Sequence, residues 1–145
     1  HLATHGVFGY RKEETFIVAD DGLIDVDQLS RILRGRNQTG GQSIELLVLS
    51  ACQTAEGDNR VTLGLAGIAV RAGARSTVGS LWSISDQSTA QLMDRFYQEL
   101  ANARTTGITK AKALQIAQLS LLEETSQQYS APFYWAPYVL VGNWL

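Results

Sequence analysis

The chain holds one cysteine and two histidines among its 145 residues, so few side chains are available for thiol or imidazole chemistry. A single thiol cannot close an intrachain disulfide, which permits a reducing compartment; a cytoplasmic location is the expectation. Charge of one sign is not in excess. The net charge of −2 supplies no large basic field, so no nucleic-acid partner is expected. No apolar run approaches the roughly 20 residues that span a bilayer, no signal peptide is visible, and no membrane partner is expected. A phosphate-cradling G-x-x-x-x-G-K loop, an internal repeat and a low-complexity tract are all missing. What remains is 45% apolar and 18% charged, the composition of an ordinary soluble globular protein. The length suits one domain that buries roughly two-thirds of the surface its unfolded chain exposes.

The pattern along the chain alternates strand and helix signals. His1-Leu2-Ala3-Thr4 reads as the last part of a strand with no turn or cap ahead of it, so the chain is expected to be a piece of a longer protein. Thr15-Phe16-Ile17-Val18-Ala19 is rich in β-formers and ends at the turn signal Asp20-Asp21-Gly22. Asp25 is placed to cap a helix from Val26 to Arg34, with Gly35 as its stop and residues 36–43 as a surface loop. Ile44 to Leu49 is nearly all apolar with little alternation, as in a strand covered on both faces. Helical spacing over Leu63 to Arg71 stops at Ala72-Gly73, and Ser76 to Trp82 reads as another strand. Ser85 or Asp86 then caps a helix from Gln87 to Asn102, whose apolar face uses Ala90, Leu92, Met93, Phe96, Tyr97 and Leu100. A further helix from Thr109 to Thr125 precedes a last strand, Tyr138 to Val141. That order predicts an α/β fold layered around a mostly parallel sheet, with functional residues beyond the carboxyl ends of the strands.

Two such strand ends carry chemistry. Cys52 closes the run from Ile44 and opens the polar loop Gln53 to Asn59, while His5 ends a short apolar stretch and is followed by Gly6. A lone Cys and a distant His, both at strand exits, have the sequence form of a nucleophile and its acid/base partner. A free thiol has a pKa of about 8.5 and is little ionised at neutral pH. A nearby imidazole can generate or stabilise the thiolate and can hand a proton to a departing amine. Gly6 has no Cβ to block close approach, so its backbone N–H, together with that of Cys52, can form a two-donor oxyanion hole. Blander roles compete: Cys52 as a small buried hydrophobe, and His5 as a hydrogen-bonded structural histidine. His1 and His5 also form an H-x-x-x-H pair, but no Glu lies between them and Gly6 would end a helix. No zinc, other metal or cofactor is therefore expected.

The words around these residues are more specific. His1-Leu2-Ala3-Thr4-His5-Gly6, Leu49-Ser50-Ala51-Cys52-Gln53-Thr54, Ala72-Gly73-Ala74-Arg75, Ser80-Leu81-Trp82, Arg95-Phe96-Tyr97 and the stretch from Trp135 to Trp144 resemble the CHAT domain from the first residue to the last. CHAT domains are caspase-like domains found beside tetratricopeptide repeats and related to separase. The resemblance implies a caspase-like three-layer sandwich and a Cys-His dyad. In that dyad Cys52 is the nucleophile, His5 the general acid/base that mainly protonates the leaving amine, and the amides of Gly6 and Cys52 the oxyanion donors. It implies a protein or peptide substrate and tetratricopeptide repeats as possible neighbours in a parent chain. In separase-like relatives an acidic residue helps accept a basic substrate side chain. Asp86 is the matching position, although it can equally cap a helix. Trp82 or Trp135 could wall the pocket, or belong to the core. One departure stands out. Caspase-like folds carry two strands ahead of the His-Gly element, where this sequence starts, which would leave a sheet edge uncovered. The leading expectation is a cysteine endopeptidase working through a thioester. The alternative is an interaction or regulatory module that keeps the fold without turnover, because an incomplete sheet would hold the dyad loosely.

Overall fold

The computed structural model describes residues 1–8, 12–38, 43–50, 53–54, 66–123 and 128–145. Its strands are β1 (Gly6–Phe8), β2 (Phe16–Ala19), β3 (Gly22–Asp25), β4 (Leu47–Leu49), β5 (Gln53–Thr54), β6 (Ser76–Ser80) and β7 (Tyr138–Gly142). Its helices are α1 (Val26–Gln38), α2 (described over 66–71), α3 (Asp86–Thr106), α4 (Lys110–Leu122) and the single turn α5 (Pro132–Trp135). A 3-10 turn at Lys12–Glu14 precedes β2. The strands form two small sheets, ordered β3-β2-β1-β5 and β4-β6-β7, where the sequence suggested one. β4 and β6 run parallel, and Leu2 makes an isolated parallel bridge to Leu49. The β1-β2-β3 meander is antiparallel, while β1 and β5 are parallel. None of the described helices is long and apolar enough to cross a membrane.

The chain divides into two compact units, 1–83 with 141–143 and 84–140 with 144–145. In the first, Ile17, Val26, Leu29, Leu33, Leu47, Leu49, Ala69, Ala72 and Ala74 form one buried cluster, with Leu2, Ile24, Ile44 and Ile68 packed against it. The cluster explains why α1 forms where it does. Val26, Leu29 and Leu33 recur at helical spacing and face it, and each fully buried Leu is worth roughly 1.5–3 kcal/mol relative to exposure. Leu47 and Leu49 point into the same cluster. Val48 and Val78 lie on the other faces of β4 and β6 and are also buried, as the unbroken apolar run anticipates. In the second unit α3 and α4 pack along each other. Their buried apolar residues include Leu92, Met93 and Phe96 on α3, and Ala113, Leu114, Ala117 and Leu121 on α4.

Several local expectations need correction. Gly35 does not stop α1, which continues to Gln38 through residues assigned to a loop. Strand β4 begins at Leu47, not Ile44. The Ile44 carbonyl instead accepts from the Arg75 amide at 2.8 Å, and the Glu45 carbonyl accepts from Ser76 Oγ at 2.6 Å. Ala90 and Tyr97 are exposed, so the apolar face of α3 is narrower than the sequence suggested. Residues 63–65 of the helix expected before Ala72 lie outside the described residues.

Candidate functional site

His5 and Gly6 sit where the strand bearing Leu2 gives way to β1. Thr4 bends the chain, and both main-chain groups of Val18 are engaged there. The Val18 N–H donates to the His5 carbonyl at 2.8 Å, while Thr4 Oγ1 donates to the Val18 carbonyl at 2.7 Å. This clasp fixes the His5 backbone against β2 and leaves the side chain exposed. It also sets the direction of Gly6. Gly6 pairs with Ile17, and the bond from Val18 N–H to the His5 carbonyl makes that a non-hydrogen-bonded pair of the antiparallel ladder. The Gly6 N–H therefore turns away from β2, toward the side on which β1 meets β5. Gly6 itself is buried.

Cys52 and Ala51 lie outside the described residues. Their described neighbours are well anchored. Before them, the Ser50 N–H donates to the Leu2 carbonyl at 3.2 Å, and the Leu2 N–H donates to the Val48 carbonyl at 2.8 Å. After them, Gln53 pairs with Val7 and Thr54 with Phe8 in parallel register. Thus the segment carrying His5 and Gly6 is bracketed by pairs to Leu49 and to Gln53, one on each side of the cysteine in sequence. A side-chain bond joins the same two segments: His1 Nε2 and Ser50 Oγ are 2.8 Å apart. Sequence reasoning weighed His1 only as a metal ligand and did not single out Ser50 or Thr4. The available signal was their place inside the two words that carry His5 and Cys52.

The three residues proposed from sequence for substrate contact are distributed over both units. Trp82, in the first unit, is half-buried in the bend after β6. Asp86, in the second, is exposed and is the first residue of α3, not its cap. A carboxylate there is favoured by the positive end of the helix dipole, whatever else it binds. The capping position belongs to Ser85, whose side chain makes no capping bond. Trp135 ends α5 half-buried, with its indole N–H donating to the Ser130 carbonyl at 3.0 Å. Among the described residues no three His, Cys, Asp or Glu side chains gather to hold a metal ion. A depression of about 660 Å³ between β3 and α1, lined by Asp21, Leu23, Ile24, Gln28, Arg31 and Ile32, has no Cys or His in its lining and lies at the opposite edge of its sheet from β5.

No curated protein matches this chain. A family model described as the CHAT domain matches residues 1–143, a span that includes both strand exits. The chain belongs to the CHAT domain family, a caspase-like, peptidase-related family.

Proposed function

We propose that this chain is a cysteine endopeptidase domain in which Cys52 and His5 form the catalytic dyad. The Cys52 thiolate attacks the scissile carbonyl carbon, and the resulting oxyanion is held by the backbone N–H groups of Gly6 and Cys52. Collapse breaks the C–N bond, the His5 imidazolium gives its proton to the departing amine, and a thioester remains on the sulfur. Water, deprotonated by the now neutral imidazole, attacks the thioester, releases the acid product and restores the thiol. Trp82 or Trp135 would wall the substrate pocket, and Asp86 would accept a basic side chain beside the cleaved bond. In this reading the Leu2 segment, β4 and β6 are the middle of the parallel sheet of a caspase-like three-layer sandwich.

The observation that carries the reading is the orientation of Gly6. Its N–H turns toward β5, whose first residue, Gln53, follows Cys52 in the chain and pairs with Val7. A backbone N–H that β2 does not engage, on the side of the segment that follows Cys52, fits one of the two oxyanion donors. Cleavage of a peptide library by the wild-type chain tests the proposal. Cys52→Ala is expected to abolish cleavage and His5→Ala to reduce it by about 10²- to 10⁴-fold. Asp86→Asn should weaken cleavage after basic residues selectively. Full activity in Cys52→Ala or His5→Ala would refute the dyad. A wild-type chain that cleaves nothing and labels at Cys52 no faster than a free thiol would favour the interaction module instead.

A further inference from the structure

We propose that His1 is a positioning residue for the dyad, acting through Ser50 to hold the exit of β4 in register with the segment that carries His5. This rests on the peptidase reading above and concerns a contact which that reading does not use. Leu2 pairs with Leu49, and both belong to the buried cluster or pack on it. Successive residues of a strand point to opposite faces, so His1 and Ser50 project from the face away from that cluster, where Nε2 meets Oγ at 2.8 Å. The position matters because the backbone ladder between these segments is nearly spent there. The bond from Leu2 N–H to Val48 is 2.8 Å, the next, from Ser50 N–H to Leu2, is already 3.2 Å, and the next described pair is Val7 with Gln53. The His1–Ser50 bond lies at the end of this ladder. It is two residues ahead of Cys52 on one segment and four ahead of His5 on the other. Reacting groups have to be held to a fraction of an ångström, and a displacement of about 1 Å can cost on the order of 10² in rate. A side-chain tie that adds little to global stability can therefore matter greatly to turnover.

The test compares His1→Phe, Ser50→Ala, the double variant and His1→Gln with wild type. It measures kcat and KM on a peptide the wild type cleaves, and the thermal midpoint. Glutamine is the informative rescue, because its amide can either donate to or accept from the serine hydroxyl, as Nε2 can in its two tautomers. Each of His1→Phe and Ser50→Ala should lower kcat by about 10- to 10²-fold with KM nearly unchanged. The double variant should be no worse than the poorer single one, and His1→Gln should recover most of the loss. A purely structural role would lower the midpoint without that pattern of rescue and non-additivity. If His1→Phe does not fold, Ser50→Ala, which removes only a hydroxyl, carries the same test. Wild-type kcat in Ser50→Ala, an unrescued His1→Gln, or additive losses would overturn the inference while leaving the dyad intact. Wild-type turnover in Cys52→Ala would instead bring down the peptidase reading, and this inference with it.

Discussion

Gly107 and Gly142 both have positive φ, 69° and 100°, yet the space around them differs completely. Gly107 ends α3 in the left-handed region, with its N–H donating to the Ala103 carbonyl at 2.7 Å and nothing within 4 Å of where a Cβ would stand. An alanine there meets only the backbone penalty, about 1 kcal/mol. Gly142 lies in β7, where a Cβ would come 2.5 Å from the Arg75 carbonyl oxygen, 3.1 Å from Ser76 Cα and 3.2 Å from Val70 Cγ2. Two of those atoms are backbone, and the Arg75 oxygen also accepts the Asn143 amide at 2.8 Å, so the obstruction cannot simply rotate away. Gly142→Ala should therefore cost about 2–4 kcal/mol, the sum of backbone strain and overpacking. Urea denaturation of the two variants checks this, and equal losses would show that the close approach at Gly142 is unimportant. Neither effect could be read from sequence, since a glycine in Val-Gly-Asn and one in Thr-Gly-Ile look alike until the neighbouring chain is known.

At the scale of elements, the sequence was most legible where signals were local. Asp25 was read as a cap, and the structure closes a reciprocal box. The Gln28 N–H donates to Asp25 Oδ1 at 2.7 Å, and the Asp25 N–H donates to Gln28 Oε1 at 2.9 Å. Thr109 caps α4 by accepting from the Lys112 N–H at 3.1 Å. Ser85 has the right identity and makes no such bond at α3. The expected ranking follows: Asp25→Ala and Thr109→Ala each lose about 1 kcal/mol, while Ser85→Ala loses less than about 0.5 kcal/mol. Because Asp25 and Gln28 share one motif, their double alanine variant should lose less than the sum of the single ones. Thermal or urea unfolding measures all of these, and a loss at Ser85 equal to that at Thr109 would refute the ranking. The misread boundaries have a physical cause too. A helix-interior glycine costs only about 1 kcal/mol against alanine, too little for Gly35 to end a helix already anchored by Val26, Leu29 and Leu33. Strand β4 starts late because Arg75 and Ser76 satisfy the carbonyls of Ile44 and Glu45, a long-range event that no local pattern announces.

Across the whole molecule, alternation of strands and helices was visible early, but the division into two sheets was not. It arises because the segment bearing Leu2 pairs with β4 and then, past the bend at Thr4, the same chain joins β2 and β5. His5 and Gly6, proposed from sequence for the site, fall at that change of partner, while Cys52 lies outside the described residues and the register between the two segments was not legible in the sequence. This topology also sets which parts of the first unit should open first. β6 is the middle strand of its sheet, with all five residues buried, and its neighbour β4 is buried throughout. Residues 1–5, in contrast, are exposed or half-buried and reach β4 through a single bridge. Local opening free energy follows burial and ladder depth, so amides of Val78 and Gly79 should exchange slowest in this unit, and that of Leu2 far faster. If His1 and Ser50 supply the tie argued above, Ser50→Ala should speed exchange of the Leu2 amide and leave Val78 unchanged. Hydrogen-exchange mass spectrometry or NMR on the wild-type and Ser50→Ala chains measures both. Equal protection of Leu2 and Val78 would mean that the first segment is held by far more than the bridge and the His1–Ser50 bond, and an unaltered Leu2 rate in Ser50→Ala would mean that this bond does not restrain the strand exit.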